Sequence, residues 1–430
     1  MIVAFVLAAS TQVIHLQGVD HLSQGTFLGT ALTRDGKLVP AASYIEKSKL
    51  PGPVIDVLDN GTILVGSPLR LIGAGGEVLL SDEARLVGSA CSSRLGTYVS
   101  GMPGGLLRFQ ARSSNEWQVV AFPSSHRSLW GVDCTDKGVV VAAGEPAALY
   151  RVEGVKVVSS IKVPGHSLRS VLATKDGVVA GGLTDGRIWL WEKEQLKVVH
   201  VAAKPEVRKL IALAGKRIAA LSVANESDDA GDLPEPTPSS SGSGVVEVVS
   251  ISTSIAQTFW MSSGSTPMDM IERENELWVA TDAGRIHQID ASTEMGDARR
   301  RHRRSAIGDG RPIEALALGR EGLLVYGGGI VRKPIQGKHI YRSPVLDAGG
   351  QVAHWGNLRV DSQAVTAVRW RFGQSPILRG WSDWTSRPGG MARHAQFEFE
   401  LKDSASIQHI QQFVRAVNRA PNMLSVLALE

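Results

Sequence analysis

Residues 128–152 read SLWGVDCTDKGVVVAAGEPAALYRV. An apolar run, a turn marked by Lys137-Gly138, the valine-rich block VVVAAG, a small-residue turn and the apolar LYRV follow one another without a break. Runs this short, rich in β-branched residues and bounded by glycine, read as antiparallel strands. They are apolar along their whole length instead of alternating, so both faces of the sheet have to be buried.

The same unit recurs along the chain. Glycine- or asparagine-marked turns precede TILVGS at Gly61, TYVSG at Gly96, VVVAAG at Gly138, VVAGG at Gly177, KRIAAL at Gly215, ELWVAT at Asn275 and LLVYGG at Gly322. Successive anchors lie 35, 42, 39, 38, 60 and 47 residues apart. The interval of 60 holds the tract NESDDAGDLPEPTPSSSGSG at 225–244, and without those 20 residues it falls to 40, in step with the others. With almost nothing apolar to bury, that tract is expected to be a disordered insertion between the second and third strands of the fifth unit. A first strand precedes each anchor (SLWGVDC, SVLA, EALAL), a third follows the second (LLRF, LYRV, RIWLW), and a fourth is visible in WQVV at 117–120 and LKVV at 196–199. Four short strands in about 40 residues describe one propeller blade, stacked between neighbours. The expected fold is all-β: a seven-bladed β-propeller over 11–337 followed by a small β-sandwich over 338–430. The stretch from Phe27 to Val39 is expected to complete the last blade and so remove an open sheet edge.

Composition agrees with a large packed core and points to no polyanionic partner. Of 430 residues 46 are glycine, about 11% against an average near 7%. Lys plus Arg at 46 and Asp plus Glu at 42 leave a net charge of +4, too small to make nucleic acid the default ligand. The apolar block IVAFVLAA at 2–9, followed by Ser10, reads as a signal peptide over residues 1–10, and no run elsewhere is long enough for a membrane span. Cys91 and Cys134 are the only cysteines. Near the ends of the first strands of adjacent blades, they are expected to lie beyond bridging distance and to remain free thiols.

After about Lys338 the period ends. SPVLDAG at 343–349, HWGNLRV at 354–360, AVRWRF at 367–372, GWSDW at 380–384 and FEFEL at 397–401 suit the strands and turns of a sandwich. IQHIQQFVRAV at 407–417 fits both helical and strand spacing and is read as a strand. The blade pattern together with SPVLDAG, Trp355-Gly356, WSDW and the NRAP at 418–421 resembles a group of secreted bacterial WD40-like propeller proteins over nearly the whole chain. That resemblance implies an export signal, seven degenerate blades, a low-complexity insertion, a C-terminal sandwich of galactose-binding-like form and an envelope or extracellular location. It supplies no catalytic residues.

Few residues carry chemistry. His126 and His166 precede the first strands of adjacent blades and are candidates for a site at the channel mouth, against a bland reading as solvated strand starts. Arg299, Arg300, Arg301, Arg303 and Arg304 concentrate positive charge in a loop suited to an acidic protein partner, with a plain solvated loop as the alternative. Trp381 and Trp384 are candidates to stack on sugar rings, though core packing is the commoner use of tryptophan in a small sandwich. No P-loop, dinucleotide fingerprint, GxSxG or HExxH is present, and no His or carboxylate spacing suits a metal, so no cofactor or metal is expected. These readings favour a non-enzymatic interaction or scaffold protein in the periplasm or outside the cell. A glycan-binding module and a propeller lyase or hydrolase are the alternatives.

Overall fold

The structure is a computed structural model. It describes residues 11–416 except 34, 59–60, 67, 84–85, 103, 225–242, 263, 293–301, 307–310, 320–321, 336, 350–351, 361–362 and 404. The leader read at 1–10 and most of the 225–244 tract therefore lie outside the described residues. Among the described residues the regular structure is nearly all β, with one short helix at Gly18–Leu22. It divides into two compact units, one of Ile45–His302 and Asp309–Pro334, the other of Met1–Tyr44, Arg303–Gly308 and Ile335–Glu430.

The larger unit is built from the repeat. In the stretch quoted first, Ser128–Cys134, Val139–Gly144, Ala148–Glu153 and Lys156–Lys162 pair in chain order as one antiparallel sheet. Every residue of Val139–Gly144 is buried, as its unbroken apolar sequence requires. The outer strand Lys156–Lys162 alternates exposed and half-buried positions, because only one of its neighbours is a strand of the same sheet. The first strands Val54–Val57, Leu86–Ser92, Ser128–Cys134, Leu168–Thr174, Glu206–Leu213, Pro267–Arg273 and Ala315–Gly319 each lie against the next, and the last lies against the first. The sheets thus form a closed ring with those strands on its inner wall. Between sheets sit separate apolar clusters, such as Val140, Leu149, Leu168, Val178, Trp189 and Trp191 between the sheets that open at Ser128 and Leu168. The register Val223↔Gly244 places the 225–242 tract between the second and third strands of its sheet.

Two expectations are corrected in this unit. The strand beside Ile330–Ile335 that closes the ring is Ser43–Lys49, not the stretch Phe27 to Val39. Phe27, Leu32 and Leu38 are drawn instead into the core of the smaller unit, where Phe27 meets the Tyr341 ring edge-on at 5.6 Å. Cys91 and Cys134 form a disulfide with Cα atoms 5.6 Å apart. Their strands come closer than ordinary blade spacing suggests: a Cβ on Gly88 would sit 2.1 Å from the Leu129 carbonyl oxygen, so only glycine allows this approach.

Two sheets of the smaller unit enclose one core, to which the strands Thr30–Thr33 and Leu38–Pro40 add Leu32 and Leu38. Thr11–Gln17 pairs with His409–Ala416, which pairs with Ala353–Arg359 and through it with Met391–Ala392. In the second sheet His394–Leu401 is central, flanked by Val365–Gly373 on one side and by His339–Arg342 and Leu346–Asp347 on the other, with Thr26–Leu28 beyond. Residues 11–44, expected in the propeller, thus belong here, because their apolar side chains fill this core. The ambiguous segment at 407–417 supplies a strand, His409–Ala416. Trp355 and Trp370 are core residues whose indole N–H groups donate to the Ala392 carbonyl and to Gln412.

Candidate functional site

Six of the inner-wall strands carry a bulge near their start, after Val54, Val87, Leu129, Leu168, Val207 and Pro267. A bulge inserts an unpaired residue and re-aims its side chain. In four successive strands these residues are Trp130, Arg169, Arg208 and Met268, and their side chains join into one arc. The Arg169 guanidinium lies 4.7 Å over the Trp130 ring, and its Nε donates to Glu206 at 3.1 Å. Arg208 Nε donates to the same Glu206 oxygen at 3.2 Å, while its Nη1 reaches the Pro267 carbonyl at 3.1 Å and the Met268 sulfur at 3.8 Å.

Burial alone would raise the Glu206 carboxyl, but the Arg208 and Arg169 charges outweigh it and hold the group below the ordinary glutamate value. Two guanidiniums on one carboxylate leave the arc with one net positive charge. Trp130, Arg169, Arg208 and Met268 are all half-buried, so the arc is held in place and still reachable from solvent.

In four of these strands the residue after the bulge is polar: Asp56, Ser170, Lys209 and Asp269. Lys209 is ion-paired with Asp269, whose other oxygen accepts from the Leu316 backbone N–H at 2.8 Å. Asp56 accepts from its neighbour Val57 N–H at 2.9 Å and contacts Ser89 at 3.4 Å. Desolvation, reinforced by Asp269 and opposed by Lys209, pushes the Asp56 carboxyl above its ordinary value. For Lys209 desolvation works downward, but the Asp269 and Asp56 charges win and raise it. Ser170 donates to the Val207 carbonyl at 2.7 Å and Glu314 accepts from Val54 N–H at 2.7 Å, so side chains stitch neighbouring inner strands together.

His126 and His166 occupy different surroundings. His126 is buried, one ring nitrogen 2.9 Å from the Pro146 carbonyl and the other 2.6 Å from the Tyr150 hydroxyl, and burial lowers its pKa. His166 is exposed and its carbonyl accepts from Glu145 N–H. Of the arginine run, Arg299, Arg300 and Arg301 lie outside the described residues. Arg303 and Arg304 stand in a strand, His302–Ala306, paired with Thr33 and Leu32, so the loop reading is corrected for that half of the run.

In the smaller unit Trp381 and Trp384 meet a row of arginines. Period-two alternation puts Trp370 in the core and Arg369 and Arg371 on the opposite face of Val365–Gly373, with Glu398 and Gln396 opposite them on His394–Leu401. Arg371 lies 4.7 Å over the Trp384 ring and 5.5 Å over the Trp381 ring, and Arg342 lies 5.1 Å over Trp384. Glu398, 2% exposed, accepts from Arg342 at 2.9 Å and from Arg369. Each indole therefore already carries a cation on its π-face, the place a sugar ring would take.

No protein-family model matches the chain. No curated protein matches it in sequence. Among solved structures it is similar to a chain of a mitotic checkpoint complex, at 12% identity and a TM-score of 0.49, covering 68% of this chain and 96% of that one. It is also similar to the WD40 domain of Neurospora crassa Pan2, at 12% identity and 0.46, covering 67% and 91%. A third likeness is to the extracellular domain of a one-component system from B. thetaiotaomicron, at 11% and 0.47, covering 81% of this chain and 48% of that one. The larger unit is a β-propeller, by its own strand pairing and closed inner wall.

Proposed function

We propose that the chain is a non-enzymatic interaction protein acting outside the cytoplasm, with a seven-bladed propeller and a β-sandwich of galactose-binding-like form, and that the propeller mouth grips a protein partner. The arc Trp130–Arg169–Glu206–Arg208–Met268 carries this reading. Tryptophan, arginine and methionine are the residue types over-represented at interface centres, and here they are pre-positioned by bulges and by a shared carboxylate. The net positive charge of the arc, and the run Arg299 to Arg304, favour an acidic partner segment. The Cys91–Cys134 bridge favours an oxidising compartment and hence export.

The test compares the parent with a Trp130→Ala, Met268→Ala double variant, each immobilised and exposed to extract of the source cells at physiological and raised salt. A partner retained by the parent, released by salt and lost by the variant is expected. Equal retention by a variant with unchanged melting would overturn the reading.

A further inference from the structure

The loop 374–380, QSPILRG, is exposed at every position but Ser375. Ile377 is 71% exposed, the highest value of any large apolar side chain among the described residues, and its neighbour Leu378 is 47% exposed. This tip is not slack. The Trp381 indole N–H donates to both the Ser375 carbonyl at 2.9 Å and the Ile377 carbonyl at 3.0 Å, and Ile377 N–H is bonded to Ser375 Oγ at 3.2 Å. Trp381 itself packs on Gly373, where a Cβ would fall 2.3 Å from its Nε1, and lies beneath Arg371. A rigid scaffold thus presents two adjacent aliphatic side chains outward.

Charge surrounds them. Arg379 stands in the loop itself, Arg371 lies over Trp381 and Trp384, and Arg342 and Arg369 lie over Trp384; against Glu398 and Asp383 this group carries a net excess of two positive charges. Glu398 is buried beneath its arginines, so the exposed field is more cationic than that difference suggests.

We propose that this unit docks on an anionic lipid bilayer, with Ile377 and Leu378 entering the apolar boundary, Trp381 at headgroup level, and Arg371 and Arg379 facing the lipid anions. A protruding aliphatic pair needs a matching cavity in a protein partner but none in a bilayer, which opens around it. Tryptophan and arginine are the residues that sit well at the headgroup boundary, apolar on one side and polar on the other. Anionic lipid attracts the flanking cations within a Debye length of the surface. The proposal does not depend on the propeller arc.

The test is co-sedimentation of the full chain with vesicles of phosphatidylcholine alone and with phosphatidylglycerol added to about one third. Binding is expected on the anionic vesicles, weakened by salt, with tryptophan emission quenched by brominated acyl chains. An Ile377→Ser, Leu378→Ser variant, altered only at exposed positions, should melt as the parent does and bind at least about tenfold more weakly. Arg379→Ser should lose affinity for anionic vesicles alone. Trp130→Ala, Met268→Ala should bind vesicles like the parent. Equal binding to both vesicle types, or by the serine variant and the parent, overturns the proposal. So does retention on soluble polyglutamate without vesicle binding, which would assign the face to an acidic polypeptide.

Discussion

Removing the bridge between Cys91 and Cys134 should loosen the seam between two neighbouring sheets by an amount that the chain length sets. The cysteines are 43 residues apart, and closing a loop of that size in the unfolded chain removes entropy equivalent to about 4 kcal/mol at 25 °C. Alanine is the cleaner replacement. Cys91 is 8% exposed and packs with Tyr98, Phe109 and Val132, where a serine hydroxyl would add a desolvation cost of its own. For a unit of this size such a loss lowers melting by roughly 6–8 °C. The assay is thermal unfolding of the parent, the reduced parent and a Cys91→Ala, Cys134→Ala variant, with thiol titration in denaturant before and after reduction. No reactive thiol is expected before reduction and two after it. Two thiols in the unreduced protein, or melting within about 2 °C for all three forms, would refute the reasoning.

Glu206→Gln and Asp56→Asn should respond to pH in opposite senses. The Glu206 carboxyl is held below its unfolded value, so its stabilisation is present above the ordinary glutamate range and disappears as pH falls through the lower folded value; the variant should lose about 3 kcal/mol at neutral pH and converge on the parent in acid, read by urea unfolding across pH. Asp56 is raised, so native stability falls as pH climbs from the ordinary aspartate range to the higher folded value and levels off above it; the asparagine variant should gain on the parent at pH 8 and lose that gain below the aspartate range. Proline at Glu46 or Lys47, tried in turn because alternate N–H groups face the ladder, should cost about 3 kcal/mol in one case and speed aggregation on heating by baring the edge of Ile330–Ile335; light scattering that matches the parent in both cases would count against closure by this strand. Gly88→Ala should lower melting by several degrees, since its Cβ meets main chain that cannot yield.

How far the sequence reveals the fold depends on where each strand lies. Second strands such as Val139–Gly144 are buried on both faces and announce themselves as unbroken apolar runs. The closing strand SYIEKSK at 43–49 is an outer strand, half polar and with no glycine before it, so Phe27 to Val39 looked the better candidate. The disulfide escaped because bulges and Gly88 draw neighbouring inner strands together, a feature of packing that repeat spacing does not encode.

The arc on the inner-wall strands had a signal: the third residue of SLWGV at 128–132 and SLRSV at 167–171, and likewise of EVRKL at 206–210, is the one the bulge re-aims. The arginine–tryptophan row was legible in the same way, from the alternation of AVRWRF against AQFEFEL. Pairing the two runs required the register Arg369↔Glu398 and Arg371↔Gln396, which only the structure supplies.

The pairing of Thr11–Gln17 with His409–Ala416 has a consequence for synthesis. Residue 11 faces residue 415, so the first described strand has no partner until about 400 further residues have left the ribosome. At roughly 5–20 residues per second that is a wait on the order of twenty to eighty seconds, during which Ile14 and Leu16 stay unburied. The propeller sheets, made of neighbours in sequence, can form one after another as they emerge. A chain ordered in this way favours a holding chaperone on its early segment.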